Sequence, residues 1–159
     1  MKTLIIYAST HHGNTEKIAQ EIATVLNAEL VNLTDTDDIP DLADYDLIGF
    51  GSGIYWGKHD RKLLDLVSGL PRVNGKKAFI FSTSGVNAGR VFDRRLRRNV
   101  LERGFDIIGA FSCKGFDNVW PLRLVGGMNK GRPNANDLEA AVSFAKGLKV
   151  NCKALRTKS

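Results

Sequence analysis

Residues 4–26, LIIYASTHHGNTEKIAQEIATVL, decide the fold, because a short apolar run passes through a polar loop into a segment of helical period. Leu4 to Ala8 is continuous and rich in β-branched and aromatic residues, as expected of a strand buried on both faces. From Thr15 to Leu26 apolar residues recur every three or four positions, which predicts an amphipathic helix. The segment therefore indicates the first strand and helix of an α/β sheet.

The same alternation continues along the chain and predicts a doubly wound, five-stranded parallel sheet of order 2-1-3-4-5, since right-handed crossovers exclude most other topologies. The aspartate-rich segment 34–45 predicts a surface loop or one short turn. We expect a single domain over residues 1–150 and a basic, frayed tail over 151–159. The further predicted strands are Glu29–Leu33, Asp46–Gly51, Lys77–Phe81 and Phe105–Phe111, and the further helices are Arg61–Leu70, Val91–Arg103 and Asn136–Leu148.

Composition narrows the class of protein. With 159 residues, 43% hydrophobic and 25% charged, the chain fits one globular domain and is too apolar for disorder. Apolar runs are too short for a membrane span or a signal peptide, and two cysteines outside any C-x-x-C pair suit a reducing cytoplasm. The three histidines lack metal-ligand spacing, so no metal site is predicted.

Polar loops follow the first, third and fourth strands, whose carboxyl ends meet at the edge where parallel sheets bind ligands. The first loop, Ser9 to Thr15, surrounds Gly13 with hydroxyl and amide side chains and opens into a helix. A helix start offers unpaired N–H groups that hold a phosphate without a basic residue. The alternative is that Asn14 or Thr15 only caps the helix. The lysine of a Walker loop and the glycines of a dinucleotide turn are missing.

The other two loops have compositions that suit a flat heterocycle. Residues 51–59, GSGIYWGKH, place Tyr55 and Trp56 where a loop is normally polar. These rings are expected to cover a planar ligand or, alternatively, to fold onto the domain's own core. Residues 82–89, STSGVNAG, carry no charge and many hydrogen-bonding groups, which suits the polar edge of a heterocycle or a simple flexible turn.

Taken in order, these loops resemble those of the flavodoxin family, in its short-chain, FMN-binding form. The resemblance covers the chain from Met1 to about Gly147. The matching pieces are Tyr7–Thr10 with Gly13–Glu16, then Ser52–Gly57, Ser82–Gly85, Cys113–Phe116 and Gly131–Asn134.

The resemblance implies FMN as cofactor and an electron carrier that cycles through flavin semiquinone and hydroquinone, with no catalytic residue of its own. It implies phosphate contacts from the first loop, ring contacts from Tyr55 and Trp56, and contacts to the pyrimidine edge from residues 83–87. Gly57 resembles the family's glycine whose peptide turns over when the flavin gains a proton. The implied cofactor-binding residues are Ser9, Thr10, His11, His12, Gly13, Asn14, Thr15, Ser52, Gly53, Ile54, Tyr55, Trp56, Gly57, Thr83, Ser84, Gly85, Val86 and Asn87.

The charge departs from that family, whose electron carriers are typically acidic. The net charge is +6, and Arg90–Gly104 alone holds six arginines against two acidic residues. These arginines are either a solvated face that pairs with the aspartate-rich loop, or a docking patch for an acidic redox partner or an anionic membrane surface. Nucleic acid is not expected, because no aromatics are interleaved with the basic residues. The patch residues are Arg94, Arg95, Arg97 and Arg98.

A second function fits the same three loops. The segment Gly53–His59 is similar to that of menaquinone-dependent protoporphyrinogen oxidase, which suggests a quinone-linked, FMN-dependent oxidoreductase. His59 would then be the proton donor to test, although we expect an exposed, non-catalytic histidine there. A phospho-receiver domain is excluded because the acidic residues it needs after strands one and three are absent. A flavin-free interaction module is a further alternative.

Overall fold

The computed structural model describes residues 1–10, 13–85, 89–115 and 129–156. Parallel strands form the centre of the molecule, and each longer strand begins close to its predicted start. The predicted strands that begin at Asp46, Lys77 and Phe105 run three to four residues past their predicted ends, because neighbouring strands continue to pair with them there. The strands are β1 (Thr3–Ala8), β2 (Glu29–Asn32), β3 (Leu47–Tyr55), β4 (Lys58–His59), β5 (Lys76–Ser84) and β6 (Phe105–Lys114).

The helices differ from the prediction at two places. The expected helix Val91–Arg103 is interrupted at Asp93, whose side chain bonds a residue of another element. The last helix continues well beyond Leu148 through residues 151–156, where a frayed tail was expected, because Cys152 extends its buried face. Residues 157–159 lie outside the described residues. The helices are α1 (Asn14–Leu26), α2 (Arg61–Gly69), α3 (Gly89–Phe92), α4 (Arg94–Glu102) and α5 (Ala135–Arg156), with a 3₁₀ turn at Leu42–Asp44.

The sheet order is β2-β1-β3-β5-β6, with every pair along this path parallel. Since β4 is a two-residue arm that pairs antiparallel with β3, this order is the predicted 2-1-3-4-5. The prediction of a doubly wound parallel sheet is confirmed. Ala8, Ser52 and Ser82 are partners in register at the carboxyl edge, so the three polar loops begin side by side.

Hydrophobic cores cover both faces of the sheet. On one face α2 and α4 pack through residues such as Leu63 and Leu96. On the other, α1 and α5 pack over the rings of Phe79 and Phe81. These rings lie across Gly49 and Gly51 of β3, where a Cβ atom would overlap them. The glycines of β3 therefore provide space for aromatic packing on the α1–α5 face.

The aspartate-rich segment between β2 and β3 is an exposed loop closed by the 3₁₀ turn, as the sequence predicts. The Lys76 ammonium stabilises this turn, since it donates to the carbonyl oxygens of Leu42 and Tyr45, both at 2.7 Å. Within the described residues, no helix has the length and apolar character that a membrane crossing requires.

Candidate functional site

The first predicted loop and the start of α1 lie at the carboxyl end of β1. Gly13 precedes α1 with φ of 62° and supplies no side-chain cap, while the Ser9 hydroxyl accepts a hydrogen bond from the Glu16 N–H at 3.3 Å. Asn14 and Thr15 are buried and Thr10 is exposed. His11 and His12 lie outside the described residues. A helix N-terminus faces the edge of the sheet, as a phosphate site in this position requires.

Hydrogen bonds between side chains join the first loop to the other two. The Thr10 hydroxyl donates to the Tyr55 hydroxyl at 3.0 Å. The hydroxyls of Thr15 and Thr83 lie 2.9 Å apart in a buried position. The structure therefore brings together residues from three segments that are distant in sequence, at the edge where the sequence places the ligand.

The second predicted loop is largely strand. Ser52, Gly53, Ile54 and Tyr55 belong to β3, and the chain reverses over only two residues, Trp56 and Gly57, before β4. Trp56 has φ of 52° and Gly57 has φ of 75°, as a type I′ hairpin turn requires. Trp56 is 85% exposed, so its ring is not folded onto the core.

The backbone conformation of Trp56 in this turn is strained. A positive φ costs a bulky residue free energy, and such strain concentrates at functional sites. A large aromatic side chain that is both strained and solvent-exposed contributes little to the fold. Its position is better explained by contact with something outside the chain.

His59 is buried, and the expectation of an exposed histidine is wrong. Its Nδ1 lies 2.8 Å from the Ser52 hydroxyl and its Nε2 lies 2.9 Å from an Asp93 carboxylate oxygen. The Ser52 hydroxyl also accepts the Asp60 N–H at 3.0 Å and lies 2.9 Å from the Gly53 carbonyl oxygen. Its hydrogen-bonding capacity is filled inside the protein, so the Ser52–His59–Asp93 group is not arranged as a hydrolytic triad.

The third predicted loop begins within β5. Thr83 and Ser84 are the buried last residues of that strand, and Gly85 follows them, whereas Val86 and Asn87 lie outside the described residues. Gly85 therefore lies at the carboxyl end of β5, and β5 pairs with β3, the strand that leads into the Trp56 turn.

A match to a known family covers this whole arrangement. The flavodoxin domain matches residues 4–112, which span β1 through most of β6. The chain belongs to the flavodoxin family. The resemblance drawn from the three loops is thereby confirmed. An uncharacterized protein of Methanocaldococcus jannaschii is 46% identical over 153 residues, covering 95% of this chain and 100% of that protein.

Solved structures share the fold of this flavodoxin-family protein. Oxidised flavodoxin 2 from Bacillus cereus superposes with a TM-score of 0.71 at 21% identity, over 95% of this chain and 99% of that one. A flavoprotein from Lactobacillus acidophilus, solved in complex with FMN, has a TM-score of 0.53 at 22% identity, over 70% of this chain and 92% of that one. At these identities the likeness establishes the architecture.

Two residues of this flavodoxin site were not predicted from the sequence. The Asn129 side chain donates to the carbonyl oxygen of Gly85 at 2.6 Å. The Gly115 N–H donates to the Ser84 carbonyl oxygen at 2.9 Å, and a Cβ on Gly115 would meet the Asn14 amide at 2.9 Å. The Gly115 contact continues the β5–β6 pairing by one residue, whereas the Asn129 contact joins residues forty-four positions apart, which no local pattern encodes.

A phenol and a carboxylate lie beneath the first loop. Tyr7 is buried below the loop, and its hydroxyl donates to Glu16 at 3.4 Å. Burial, reinforced by the Glu16 carboxylate, raises the pKa of Tyr7 to about 12, so this phenol stays neutral. The Glu16 carboxylate in the first turn of α1 is stabilised by the helix dipole.

Proposed function

We propose that this flavodoxin-family protein binds FMN along the carboxyl edge of its sheet and transfers electrons in single steps. The observation that carries the proposal is Trp56, an 85% exposed indole held in a left-handed turn, on the same sheet edge as the start of α1, whose N-cap residue Gly13 has no side chain to cap the helix. A planar ring that covers the indole and a phosphate at the helix start would satisfy both features with one ligand.

The described residues fit such a group by their chemistry. Hydroxyl, amide and backbone donors of the first loop suit the phosphate, and the aromatic pair Tyr55 and Trp56 suits the isoalloxazine ring. Thr83, Ser84 and Gly85 offer hydrogen bonds to a pyrimidine edge at the neighbouring strand end. When bound, FMN would supply the one-electron redox chemistry, while the chain binds and orients it.

The quinone-linked oxidoreductase has less support. In that function His59 would be the proton donor. The His59 side chain has no exposed surface, and both of its ring nitrogens face partners inside the protein. A proton donor must come within hydrogen-bond reach of the reacting atom. We therefore favour the electron carrier.

The arginines of α4 support docking of an acidic redox partner close to the flavin. Arg94, Arg95, Arg97 and Arg98 are all exposed. Among the described residues no ion pair joins the aspartate-rich loop to these arginines: Asp37 pairs with Lys62 at 3.5 Å, and Arg98 pairs with Glu102 of its own helix at 3.9 Å.

This basic surface begins beside the Trp56 turn. The Phe92 ring lies 3.3 Å from the position of a Cβ on Gly57, and the next residue, Asp93, bonds His59. A partner held by the arginines would therefore lie near the exposed indole, and electrostatic attraction would raise its association rate. Cys113 and Cys152 are not joined in a disulfide, which suits the reducing cytoplasm, where we propose that the protein works.

The first experiment is an FMN titration of the purified protein, followed by stepwise anaerobic reduction under visible absorption. We expect one FMN per chain and a persistent one-electron-reduced spectrum. A protein that takes up no FMN would refute the proposed function, and direct two-electron bleaching would refute the single-electron carrier.

The partner proposal is tested separately, with electron transfer to the oxidised protein from a reduced plant-type ferredoxin, which is acidic, and from the reduced protein to cytochrome c, which is basic. We expect the ferredoxin rate to fall as salt rises and to drop about tenfold in the Arg97→Glu, Arg98→Glu variant. The double variant Lys146→Glu, Lys149→Glu, on exposed positions of α5 across the sheet, is the matched control, because it changes the net charge by the same amount. Equal effects of the two charge reversals would contradict docking at α4.

A further inference from the structure

The side chain of Asp93 bonds a residue outside its own helix. Asp93 precedes α4 without making a side-chain cap to that helix, although capping is the usual role of aspartate in this position. Its carboxylate bonds His59 Nε2 at 2.9 Å instead, and the side chains of His59 and Asp93 are 0% and 7% exposed. An interaction that is built at the expense of a helix cap, away from water, indicates a selected arrangement.

The hydrogen bonds continue from His59 to β3. His59 Nδ1 lies 2.8 Å from the Ser52 hydroxyl. We call Ser52, His59 and Asp93 the turn clamp. It joins β3, β4 and the junction of α3 with α4, and the Asp60 N–H adds the start of α2.

The turn that the clamp encloses needs support. The β3–β4 pairing consists of two residue pairs only, Ile54 with His59 and Tyr55 with Lys58. A pairing this short is marginal by itself, and the left-handed φ of Trp56 adds strain. A strained conformation persists only when its surroundings fix it, and His59 lies three residues from the strained position.

We propose that Asp93 is a positioning residue that acts through His59 to hold the Trp56–Gly57 turn in its left-handed conformation before any ligand is bound. The exposed indole is then already oriented when FMN arrives, so binding loses less conformational entropy in the turn. Phe92, one residue before Asp93, packs against the other side of the turn at Gly57. The role towards FMN rests on the proposed function, whereas the effect on the turn does not.

The test compares Asp93→Ala with Asn99→Ala. Asn99 is a matched control on the same helix, because it is 8% exposed and its side chain donates to the Ser68 hydroxyl at 2.9 Å. Amide hydrogen exchange is measured on the protein without FMN, and FMN dissociation is measured on the loaded protein. In Asp93→Ala we expect the amides of residues 57–59 to exchange about tenfold faster and FMN to dissociate about tenfold faster. In Asn99→Ala neither rate changes beyond what the loss of global stability explains.

The conservative variant separates positioning from general destabilisation. Asp93→Asn keeps an oxygen that accepts from His59 Nε2–H, so we expect exchange at residues 57–59 close to that of the wild type. Failure of Asp93→Asn to restore it, or equal exchange in Asp93→Ala and Asn99→Ala, would overturn the proposal.

A variant that fails to fold and a wild type that fails to bind FMN have different consequences for the proposal. If Asp93→Ala does not fold, the double variant His59→Leu, Asp93→Asn replaces it, since leucine has a similar volume but forms no hydrogen bond, and the second change leaves no buried charge; unchanged exchange in this double variant refutes the clamp. If the wild type does not bind FMN, the proposed function fails, and the exchange experiment still decides whether Asp93 holds the turn.

Discussion

Replacing Trp56 by asparagine separates the stability of the turn from ligand binding. Trp56 and Gly57 both have positive φ, and Asn-Gly is the favoured pair for a two-residue turn of this type. The left-handed conformation costs an ordinary residue roughly 1–2 kcal/mol, and it costs asparagine less because the short side chain bonds locally. The substitution Trp56→Asn therefore removes part of a strain that the folded protein carries.

The loss of packing is small in the same variant. Trp56 is 85% exposed, so it buries about 40 Å² of the roughly 250 Å² of a tryptophan side chain. At about 25 cal/mol per Å² this area contributes about 1 kcal/mol. The two effects oppose each other, and we expect the free energy of unfolding to stay within about 1 kcal/mol of wild type, whereas a buried tryptophan would lose about 3–5 kcal/mol.

Binding is expected to respond in the opposite way. An aromatic side chain that stacks on a heterocycle contributes about 1–3 kcal/mol, which corresponds to FMN affinity about 5- to 150-fold lower in Trp56→Asn. Trp56→Phe keeps an aromatic face and is the matched control, with a smaller loss of affinity.

Urea unfolding of the FMN-free protein and titration of flavin fluorescence measure the two quantities independently. Loss of more than about 2 kcal/mol of stability would show that the indole packs within the fold. Unchanged FMN affinity in Trp56→Asn would refute the role of this ring in binding.

Three further predictions concern a glycine of β3, the Tyr45 phenol and the Cys113 thiol. Gly51→Ala forces a methyl group into the Phe81 ring, and we expect the free energy of unfolding in urea to fall by about 1–3 kcal/mol. Gly147→Ala is the control, because the added methyl group meets open space in α5, and we expect the free energy of unfolding to rise by up to about 1 kcal/mol. The pKa of Tyr45 is raised to about 12, chiefly by its hydrogen bond to a glutamate. The stability that the neutral phenol contributes is therefore complete below pH 10 and is lost as pH rises towards 12. In Tyr45→Phe the free energy of unfolding should fall less steeply over this pH range. Burial raises the pKa of Cys113 to about 12, so its thiol should react with a disulfide reagent at pH 8 much more slowly in the native protein than after denaturation, and equally fast labelling of the native protein would contradict this.

The sequence predicted the sheet because its signals are local. The unbroken burial of β1 and the three- and four-residue spacing of Ile18, Ile22 and Val25 in α1 follow from contacts that each element must make with any core. Handedness of crossovers then restricts the strand order without knowledge of side-chain contacts. The edge at which the polar loops meet follows from that order alone.

The break at Asp93 had no such local signal. Residues 91–103 have an apolar spacing that suits one helix, and the interruption depends on His59, which is thirty-four residues away in sequence. The predicted end of α5 at Leu148 was also too early. Beyond Leu148 the buried cluster on this face of the sheet includes a single further residue of α5, Cys152, which gave too weak an apolar pattern to extend the predicted helix.

By itself, then, the sequence determined the doubly wound sheet, the family and the segments that line its carboxyl edge. Tertiary structure decided that Ser52 and His59 lie inside the protein, that Trp56 projects from a left-handed turn, and that the α4 arginines begin beside it. The physical reason is the range of the interactions. Period and turn chemistry act over a few residues, whereas hydrogen bonds among β3, β4 and the α3–α4 junction exist only after distant segments have packed together.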